Sequence, residues 1–393
     1  MADVVWRVTP FRPSRLFERP EHSGKYAIRC LIPDLPRASD LLPYLERIDQ
    51  NRWYSNFGPL LQQYENRLSE ITGGHCVTLS SGTAALELGI AALDLPPGSP
   101  VLLPSFGFPA ALLALLRCGL KPIFCDVDPN TWTLTPEIAL AAFAAMPCKL
   151  VLPLATFGHP LPVERWDDFA QATDARVLID VGGAFGHQRV GRHVHLACSL
   201  HATKPLGIGE GGVFATSDAD LAERVRLLTN YSLQRGAVTR PGGTNAKLSE
   251  YAAAVGLAQL ARWPELLERR RSIWLKYSAG LSALRGVRVQ SVPAGIPPAL
   301  LSVSSPIAAA EIGVALAASS IETRRWSVPP LHHQPMFAAA QRIGGPSGTL
   351  PVTDDLARHH IGLPFHLFLS DENIRAVCDA LAACLDKPTP GSG

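Results

Sequence analysis

Between residues 75 and 229, short apolar runs alternate with longer stretches rich in Ala and Leu. The short runs are typical of buried strands, and the stretches between them have the length and composition of helices. The predicted strands are 76–80, 100–105, 121–127, 149–155, 176–180, 197–202 and 211–217, and the predicted helices are 82–93, 108–119, 135–146, 163–175 and 218–228. Continuous apolar strands alternating with helices indicate an α/β fold, with a mostly parallel central sheet flanked by helices.

The pattern changes after residue 247. A long helix is predicted over 248–284, with a kink expected at Pro264. Strands are predicted at 287–291, 299–305 and 322–327, and helices near 308–318 and 371–385. The first 60 residues, rich in Pro and Arg, predict an irregular arm. We therefore divide the chain into an N-terminal arm (1–60), a large α/β domain (61–265) and a small C-terminal α+β domain (266–393).

The composition narrows the classes of protein that the chain can belong to. Of the 393 residues, 47% are hydrophobic and 18% charged, which is enough apolar material for a buried core and excludes disorder along the whole chain. The net charge of +2 argues against a nucleic-acid-binding protein. The longest apolar run, 108–116, is far shorter than the roughly 20 residues of a membrane span. With no signal-peptide core near the N-terminus, we expect a cytoplasmic protein without a membrane partner.

The eight cysteines are scattered, without a CxxC pair or a histidine at zinc-site spacing. This spacing predicts neither a disulfide framework nor a metal site.

Lys204 is the first candidate for chemistry, within SLHATKPLGIGEGG (199–212) between two predicted strands. Burial of an ammonium group is costly, so an apolar environment lowers the pKa of a lysine and favours a neutral amine that can attack a carbonyl. The alternative is a loop lysine whose ammonium reaches solvent.

Two further features precede Lys204 along the chain. Asp180 ends the predicted strand 176–180, at the sheet edge where α/β proteins bind ligands, and could hold the proton of a pyridinium nitrogen. The segment SSGTAAL (80–86) opens a helix whose free amides, with the hydroxyls of Ser81 and Thr83, could bind a phosphate. Separately, each has a common alternative, a loop salt bridge for the aspartate and an ordinary helix cap for the segment.

Together, these motifs resemble those of the DegT/StrS family of sugar aminotransferases, which are pyridoxal-phosphate enzymes of fold type I. The resemblance covers residues 53–381 approximately. Its motifs are RWYSNFGPLLQQYENRL, SSGTAAL, LLPSFGFPAAL, KPIFCDVDPNTW, VLIDVGGAFG, SLHATKPLGIGEGG, NAKLSEYAAAVGLAQL and VPPLHHQPMF. So many motifs in the family's order make a chance match improbable.

The resemblance implies a role for each matching residue. Lys204 would form the Schiff base with pyridoxal 5′-phosphate, and Asp180 would pair with the ring nitrogen. Phe108 would stack on the ring. The phosphate would be bound by Gly82, Thr83 and Ser199, and by Asn245 from the neighbouring subunit, which implies a homodimer with shared active sites. Ser55 and His332 match positions near the substrate.

Two positions depart from the pattern of the family. Gly183 stands where relatives often carry a Gln or His that contacts the phenolic oxygen of the cofactor, and His201 is our candidate for that contact. Lys247 replaces the usual Arg and preserves its charge but not its bidentate geometry.

The pair His332-His333 suggests a metal site, but adjacent residues on a strand point to opposite faces, so we expect a structural or substrate-lining role.

The implied function is ping-pong transfer of an amino group from glutamate or glutamine to a keto sugar, expected to be nucleotide-linked. Two alternatives stay open. One is a sugar dehydratase that uses the pyridoxamine form; relatives of that type carry histidine at the lysine position, and Lys204 argues against it. The other is a non-catalytic regulatory protein that binds the cofactor; no helix-turn-helix with a basic face is visible in the sequence, which argues against it.

Overall fold

The structure is a computed structural model and describes residues 25–386. Its helices are α1 (Ala38–Asn51), α2 (Pro59–Thr72), α3 (Gly82–Ala92), α4 (Pro109–Arg117), α5 (Pro136–Ala145), α6 (Val163–Thr173), α7 (Ala219–Thr229), α8 (Glu250–Ser282), α9 (Ala309–Ala318), α10 (Pro351–His359) and α11 (Asp371–Leu385). Its strands are β1 (His75–Leu79), β2 (Pro100–Pro104), β3 (Lys121–Cys125), β4 (Leu150–Val151), β5 (Arg176–Asp180), β6 (Val194–Ser199), β7 (Gly212–Thr216), β8 (Leu233–Gln234), β9 (Ala237–Val238), β10 (Arg288–Val289), β11 (Ser302–Ser304), β12 (Gln341–Ile343) and β13 (His360–Gly362).

An eight-stranded sheet forms the centre, in the order β1-β7-β6-β5-β4-β2-β3-β12. Strand β7 runs antiparallel to its neighbours β1 and β6, and the other pairs are parallel. The central strands are buried along nearly their whole length, because helices pack on both faces. The predicted α/β class with a mostly parallel sheet is confirmed.

Each face of the sheet has its own hydrophobic core. One core contains Trp166 and Leu257, contributed by α6 and α8. The other contains Leu86 and Leu112, contributed by α3 and α4, and the Phe214 side chain of β7. Helices α3 and α4 therefore lie on one face, with their N-termini at the carboxyl ends of β1 and β2, where the candidate site is.

A second, three-stranded sheet has the order β10-β11-β13 and is antiparallel. Its core includes Ile273 and Tyr277 from the last third of α8, together with side chains of α9 and α11. Strand β12 instead joins the central sheet beside β3. The C-terminal residues therefore contribute to both sheets, and the division of the chain at residue 265 falls within α8 and stays a prediction.

Some predicted elements differ from the structure. Strand β6 begins at Val194, three residues before the predicted start, and ends at Ser199. The predicted strand 322–327 is wrong, because within the described residues its ladder contact is limited to an isolated bridge between Arg324 and Gly362. The predicted irregular arm contains α1, and its first 24 residues lie outside the described part of the chain. Helix α8 continues through Pro264.

Among the helices of residues 25–386, none has both the length and the apolar character that a bilayer span requires.

Candidate functional site

A cavity of about 410 Å³ opens at the carboxyl edge of the central sheet. It lies where β1, β2, β4, β5 and β6 end, the edge at which open α/β sheets bind ligands. Six of the residues singled out in the sequence line this one cavity: Gly82, Thr83, Phe108, Asp180, Ser199 and Lys204. Residues far apart in the chain therefore share one site.

The N-terminus of α3 forms one wall of the cavity. The hydroxyl of Ser81 caps the helix by accepting a hydrogen bond from the Ala84 amide at 3.0 Å. Among the hydrogen bonds of residues 25–386, the amides of Gly82 and Thr83 donate to no protein acceptor. A Cβ at Gly82 would lie 2.7 Å from the Ser199 Cβ, so glycine is required for this close approach. Free amides at the positive end of a helix dipole make this wall an anion site.

Lys204 lies in the loop that connects β6 to β7. The loop folds back on itself through hydrogen bonds from the Lys204 amide to the His201 carbonyl (2.8 Å) and from the Ala202 amide to the Gly209 carbonyl (2.8 Å). Gly209 adopts a φ of 99°, in the region that favours glycine. Burial lowers the pKa of the Lys204 ammonium, and the nearby Asp180 carboxylate opposes this effect. The loop thus presents an amine that loses its proton more readily than a surface lysine does.

Asp180 is the last residue of β5 and is buried. Burial raises the pKa of its carboxyl group from 3.8 to about 6, while Lys204 and a hydrogen bond from the Gly182 amide act in the opposite direction. The carboxylate is still mostly ionised at pH 7. A buried anion of this kind favours a cationic N–H partner.

Phe108 precedes α4, which begins at Pro109, so its backbone is extended and its ring projects from the helix end. Its side chain is 70% exposed, whereas Phe106, two residues earlier, is fully buried. An exposed aromatic ring at a cavity wall offers a flat surface on which a planar ligand could stack.

At Gly183, a side chain would collide with its surroundings. A Cβ there would lie 2.4 Å from the Cβ of Ala299. Ala299 is fixed by the hydrogen bond from its amide to the Phe157 carbonyl (2.8 Å) and by Arg270, whose guanidinium donates to its carbonyl at 2.7 Å. The space beside Gly183 is therefore already filled from the C-terminal part of the chain.

His201 lines the same cavity, as its proposed contact requires. Its Nδ1 lies 2.9 Å from the Thr203 hydroxyl, and its Nε2 lies 3.8 Å from a Glu210 carboxylate oxygen. Its role in contacting a ligand stays a prediction.

The other three predicted site residues do not line the cavity. Asn245 accepts a hydrogen bond from the Lys247 ammonium at 2.8 Å and forms an isolated bridge with Asn230. Ser55 is half-buried in the segment between α1 and α2. His332 is buried, with its Nδ1 2.6 Å from the Ser105 hydroxyl. Their predicted roles are not tested by the geometry of one chain.

The strand expected at His332-His333 is wrong. Residues Leu331–His333 form a 3₁₀ turn, which places the two imidazole rings 4.0 Å apart, centroid to centroid. Both Nε2 atoms approach the same Asp354 oxygen, at 3.3 and 2.9 Å. The two rings therefore share one side of the turn instead of facing opposite ways.

Sequence reasoning missed several residues that complete the cavity: 154–158 after β4, Ala299 and Leu300, and Trp326 and Ser327. The first group spans the end of the predicted strand 149–155 and could have been found from the rule that ligands bind at strand ends. The other two come from the C-terminal part of the chain, and no spacing in the sequence indicates that they return to this edge.

Comparisons with known proteins give a consistent result. A profile of the DegT/DnrJ/EryC1/StrS aminotransferase family matches residues 37–382. Protein Rv3402c of Mycobacterium tuberculosis is 31% identical over 394 residues, which cover 95% of this chain and 94% of that protein. The dTDP-4-dehydro-2,3,6-trideoxy-D-glucose 4-aminotransferase of Saccharopolyspora spinosa is 33% identical over 359 residues, which cover 82% and 88% of the two chains. The crystal structure of DesI in the presence of its TDP-sugar product has a TM-score of 0.81 and 31% identity, and the match covers 90% of this chain and 93% of that one.

Proposed function

The chain belongs to the DegT/DnrJ/EryC1/StrS aminotransferase family, and from that premise we propose that it transfers an amino group to the ketone of a nucleotide-linked sugar with pyridoxal 5′-phosphate as cofactor. The observation that carries the proposal is the convergence of Lys204, Asp180 and the N-terminus of α3 in one cavity of about 410 Å³. An amine, a buried carboxylate and an anion site are the three groups that this cofactor requires from a protein.

The residues of the cavity fit the cofactor. The free amides of Gly82 and Thr83, beside Ser199, suit a phosphate dianion. Asp180 suits a protonated ring nitrogen because its buried carboxylate has no cationic partner within 4 Å among residues 25–386. The exposed ring of Phe108 suits one face of a planar heterocycle. Asn245 would reach the phosphate from a second subunit.

When bound, pyridoxal phosphate supplies an aldehyde that condenses with amines and a protonated ring that accepts the electron pair left when a C–H bond loses its proton. Lys204 would hold the cofactor through its Nζ. The amine at Nζ would also accept a proton and return it, a task for which its lowered pKa suits it. Asp180 would keep the proton on the ring nitrogen, because its negative charge stabilises the positive charge there.

The substrates are proposed from the relatives. The Saccharopolyspora spinosa relative is named for a dTDP-linked keto sugar, and DesI was crystallised in the presence of its TDP-sugar product. We propose a keto sugar of this class as the amino acceptor, glutamate or glutamine as the donor, and ping-pong kinetics because one amino group is carried between two substrates at one site.

The experiment that tests this proposal is an absorbance measurement on the protein reconstituted with pyridoxal phosphate, before and after glutamate or glutamine is added. The visible band should disappear while the donor's 2-oxo acid is released in a one-to-one ratio with sites. A dTDP-4-keto sugar added afterwards should restore the band. The Lys204→Ala variant should show neither the visible band of the wild type nor turnover, with a loss of at least about 10⁴-fold.

Two results would contradict the proposal. A band that ignores every amino donor would favour a protein that binds the cofactor without transfer. A wild-type rate in Lys204→Ala would exclude Lys204 as the group that carries the proton.

A further inference from the structure

His332, His333 and Asp354 form a compact cluster outside the cavity. Their donor atoms all lie within 4.8 Å of one another, and both imidazole Nε2 atoms approach one oxygen of Asp354, at 3.3 and 2.9 Å. Two imidazole nitrogens and one carboxylate oxygen form a donor set that suits a divalent transition metal.

The spacing of these atoms agrees with tetrahedral coordination. Metal–ligand bonds of about 2.0–2.1 Å in a tetrahedral site place neighbouring donor atoms about 3.3 Å apart. The His332 to Asp354 distance is 3.3 Å, and the His333 to Asp354 distance is 2.9 Å. Two of the three donor pairs therefore lie at or near the spacing of a tetrahedral site, and all three donor atoms lie within 4.8 Å of one another.

The ligands are positioned by the surrounding structure without an ion. The Nδ1 of His332 lies 2.6 Å from the Ser105 hydroxyl, and the His332 amide donates to the same hydroxyl at 3.1 Å. These contacts fix the ring so that Nε2 faces Asp354. Hydrogen bonds to the other ring nitrogen orient metal-binding histidines in the same way.

Helix α10, which carries Asp354, is also fixed. The carboxylate of Asp126 accepts hydrogen bonds from the amides of Val352 and Thr353, at 3.0 and 2.8 Å, in the first turn of this helix. The position of Asp354 therefore depends on the central sheet, because Asp126 directly follows β3.

The surroundings of the cluster include a cation and an opening to solvent. Arg342 is the neighbouring cation, but its guanidinium donates to the carbonyl of Ala338 at 3.0 Å and approaches that of His332 at 3.5 Å. His333 is 51% exposed, so a fourth position is open to solvent.

We propose that His332, His333 and Asp354 bind one divalent ion of the zinc class, with water at the fourth position. The ion connects the 3₁₀ turn to α10, and through Ser105 it supports the loop after β2 that carries Phe108. Its role is to stabilise the wall of the cavity, since none of its three ligands lines the cavity itself.

Equilibrium dialysis of the tag-free, full-length, cofactor-loaded protein against Zn²⁺, after chelator treatment and removal of the chelator, tests the proposal. The wild type should bind one Zn²⁺ per chain with a dissociation constant in the micromolar range or below. His333→Gln and Asp354→Asn should each weaken binding by at least about 100-fold. Co²⁺ in place of Zn²⁺ should give the intense visible bands of a tetrahedral site in the wild type but not in these two variants.

His359 and Asp355 provide the matched control. They form a histidine–carboxylate pair at 2.7 Å at the same helix but lack a second histidine. His359→Gln and Asp355→Asn should leave Zn²⁺ affinity unchanged, and Zn²⁺ should raise the melting temperature of these variants as it does that of the wild type. Because His333 is exposed, His333→Gln should fold and melt normally without the metal.

Two results would overturn the proposal. The first is the absence of one-to-one binding by the wild type, which would leave the cluster as hydrogen bonds from two imidazoles to one carboxylate. The second is unchanged affinity in both His333→Gln and Asp354→Asn, which would place the ion elsewhere.

Discussion

Burial controls the protonation of two residues in the cavity, Lys204 and Asp180. Burial shifts the pKa of each group in the direction that favours its neutral form, and the charge of the other group opposes that shift. Their opposite shifts are typical of functional sites, where acids and bases are adjusted to work near neutral pH. A structural ion pair would instead stabilise both charges.

The raised pKa of Asp180 predicts how pH affects stability. Its pKa is about 6 in the folded protein and about 3.9 in an unfolded chain, so the folded state binds more protons between those values. Stability therefore falls as pH rises from about 4 to about 6, by at most about 3 kcal/mol from this group. We expect the free energy of unfolding of the cofactor-free wild type to fall, relative to that of Asp180→Asn, across this interval.

Urea unfolding at a series of pH values measures this difference. Asp379→Asn, at an exposed position on α11, is the control, and its free energy of unfolding should change with pH as that of the wild type does. If the difference in free energy of unfolding between the wild type and Asp180→Asn stays constant from pH 4 to pH 6, the pKa of the Asp180 carboxyl group is not raised.

The pair of Gly183 and Ala299 shows how one residue can fix the size of another. A Cβ at position 183 would lie 2.4 Å from that of Ala299, so any side chain there requires a shift of the segment that Arg270 and Phe157 hold. The Gln or His that the family resemblance leads us to expect at this position would therefore not fit here without that shift.

Gly183→Ala should destabilise the protein by about 1–3 kcal/mol because it overpacks this contact. In an Ala299→Gly background, where the opposing methyl group is absent, the same substitution should cost less than about 1 kcal/mol. A double-mutant cycle of urea unfolding energies measures this coupling. Equal costs in the two backgrounds would mean that the contact relaxes without strain.

At the scale of the elements, the first residue of α8 caps the N-terminus of α2. The carboxylate of Glu250, the first residue of α8, accepts hydrogen bonds from the amides of Leu60 and Leu61, both at 2.9 Å. Glu250 is 2% exposed, and two α2 amides that lack an intrahelical partner depend on it. The negative charge also interacts favourably with the positive end of the α2 dipole.

Glu250→Gln should therefore destabilise the protein by about 1–3 kcal/mol, because the neutral amide replaces one acceptor with a donor that faces a backbone N–H. Glu268→Gln, at an exposed position of the same helix, should change stability by less than about 0.5 kcal/mol. Thermal or urea unfolding compares the two. Similar losses in both variants would exclude a special role for the carboxylate that caps α2.

The elements between residues 75 and 229 could be predicted because their strands are apolar and buried on both faces, although β4 has only two residues where a strand over 149–155 is predicted. Strand β12 escaped prediction since only Ile343 of its three residues is apolar and its pairing with β3 is decided by tertiary contacts. The strand predicted over 322–327 is wrong for the opposite reason, because its composition suits a strand but its tertiary contacts do not form one. It contains aromatic and polar residues that suit a strand. Its backbone, however, contacts two different segments, through the Glu322 amide to the Ile28 carbonyl at 2.8 Å and through a single bridge between Arg324 and Gly362, and no continuous ladder forms among the described residues.

At the scale of the whole molecule, the candidate site is partly local and partly long-range. Gly82, Asp180 and Lys204 each belong to a strand end that the sequence marks, so their convergence could be expected from the fold class alone. Ala299 and Trp326 reach the same cavity from the C-terminal part of the chain, through packing that no local pattern encodes.

Asn245 poses a question that only a second subunit can answer. It does not line the cavity of its own chain, although the family resemblance implies that it binds the cofactor phosphate. Near it, the hairpin of β8 and β9 exposes the apolar side chains of Leu233 and Val238. These observations support our proposal that the active site is shared in a homodimer.

Mixing two inactive variants tests this shared site. Lys204→Ala and Asn245→Asp should each abolish transfer in a pure dimer. If Asn245 serves the neighbouring cavity, a mixed dimer contains one site with both residues intact, and random reassociation of equal amounts should restore about a quarter of the wild-type activity. Lys204→Ala mixed with Asp180→Asn is the matched control, because both residues line the cavity of one chain and every site of the mixed dimer then lacks one of them. This control mixture should stay inactive, and an inactive mixture of Lys204→Ala with Asn245→Asp would place Asn245 outside the neighbour's site.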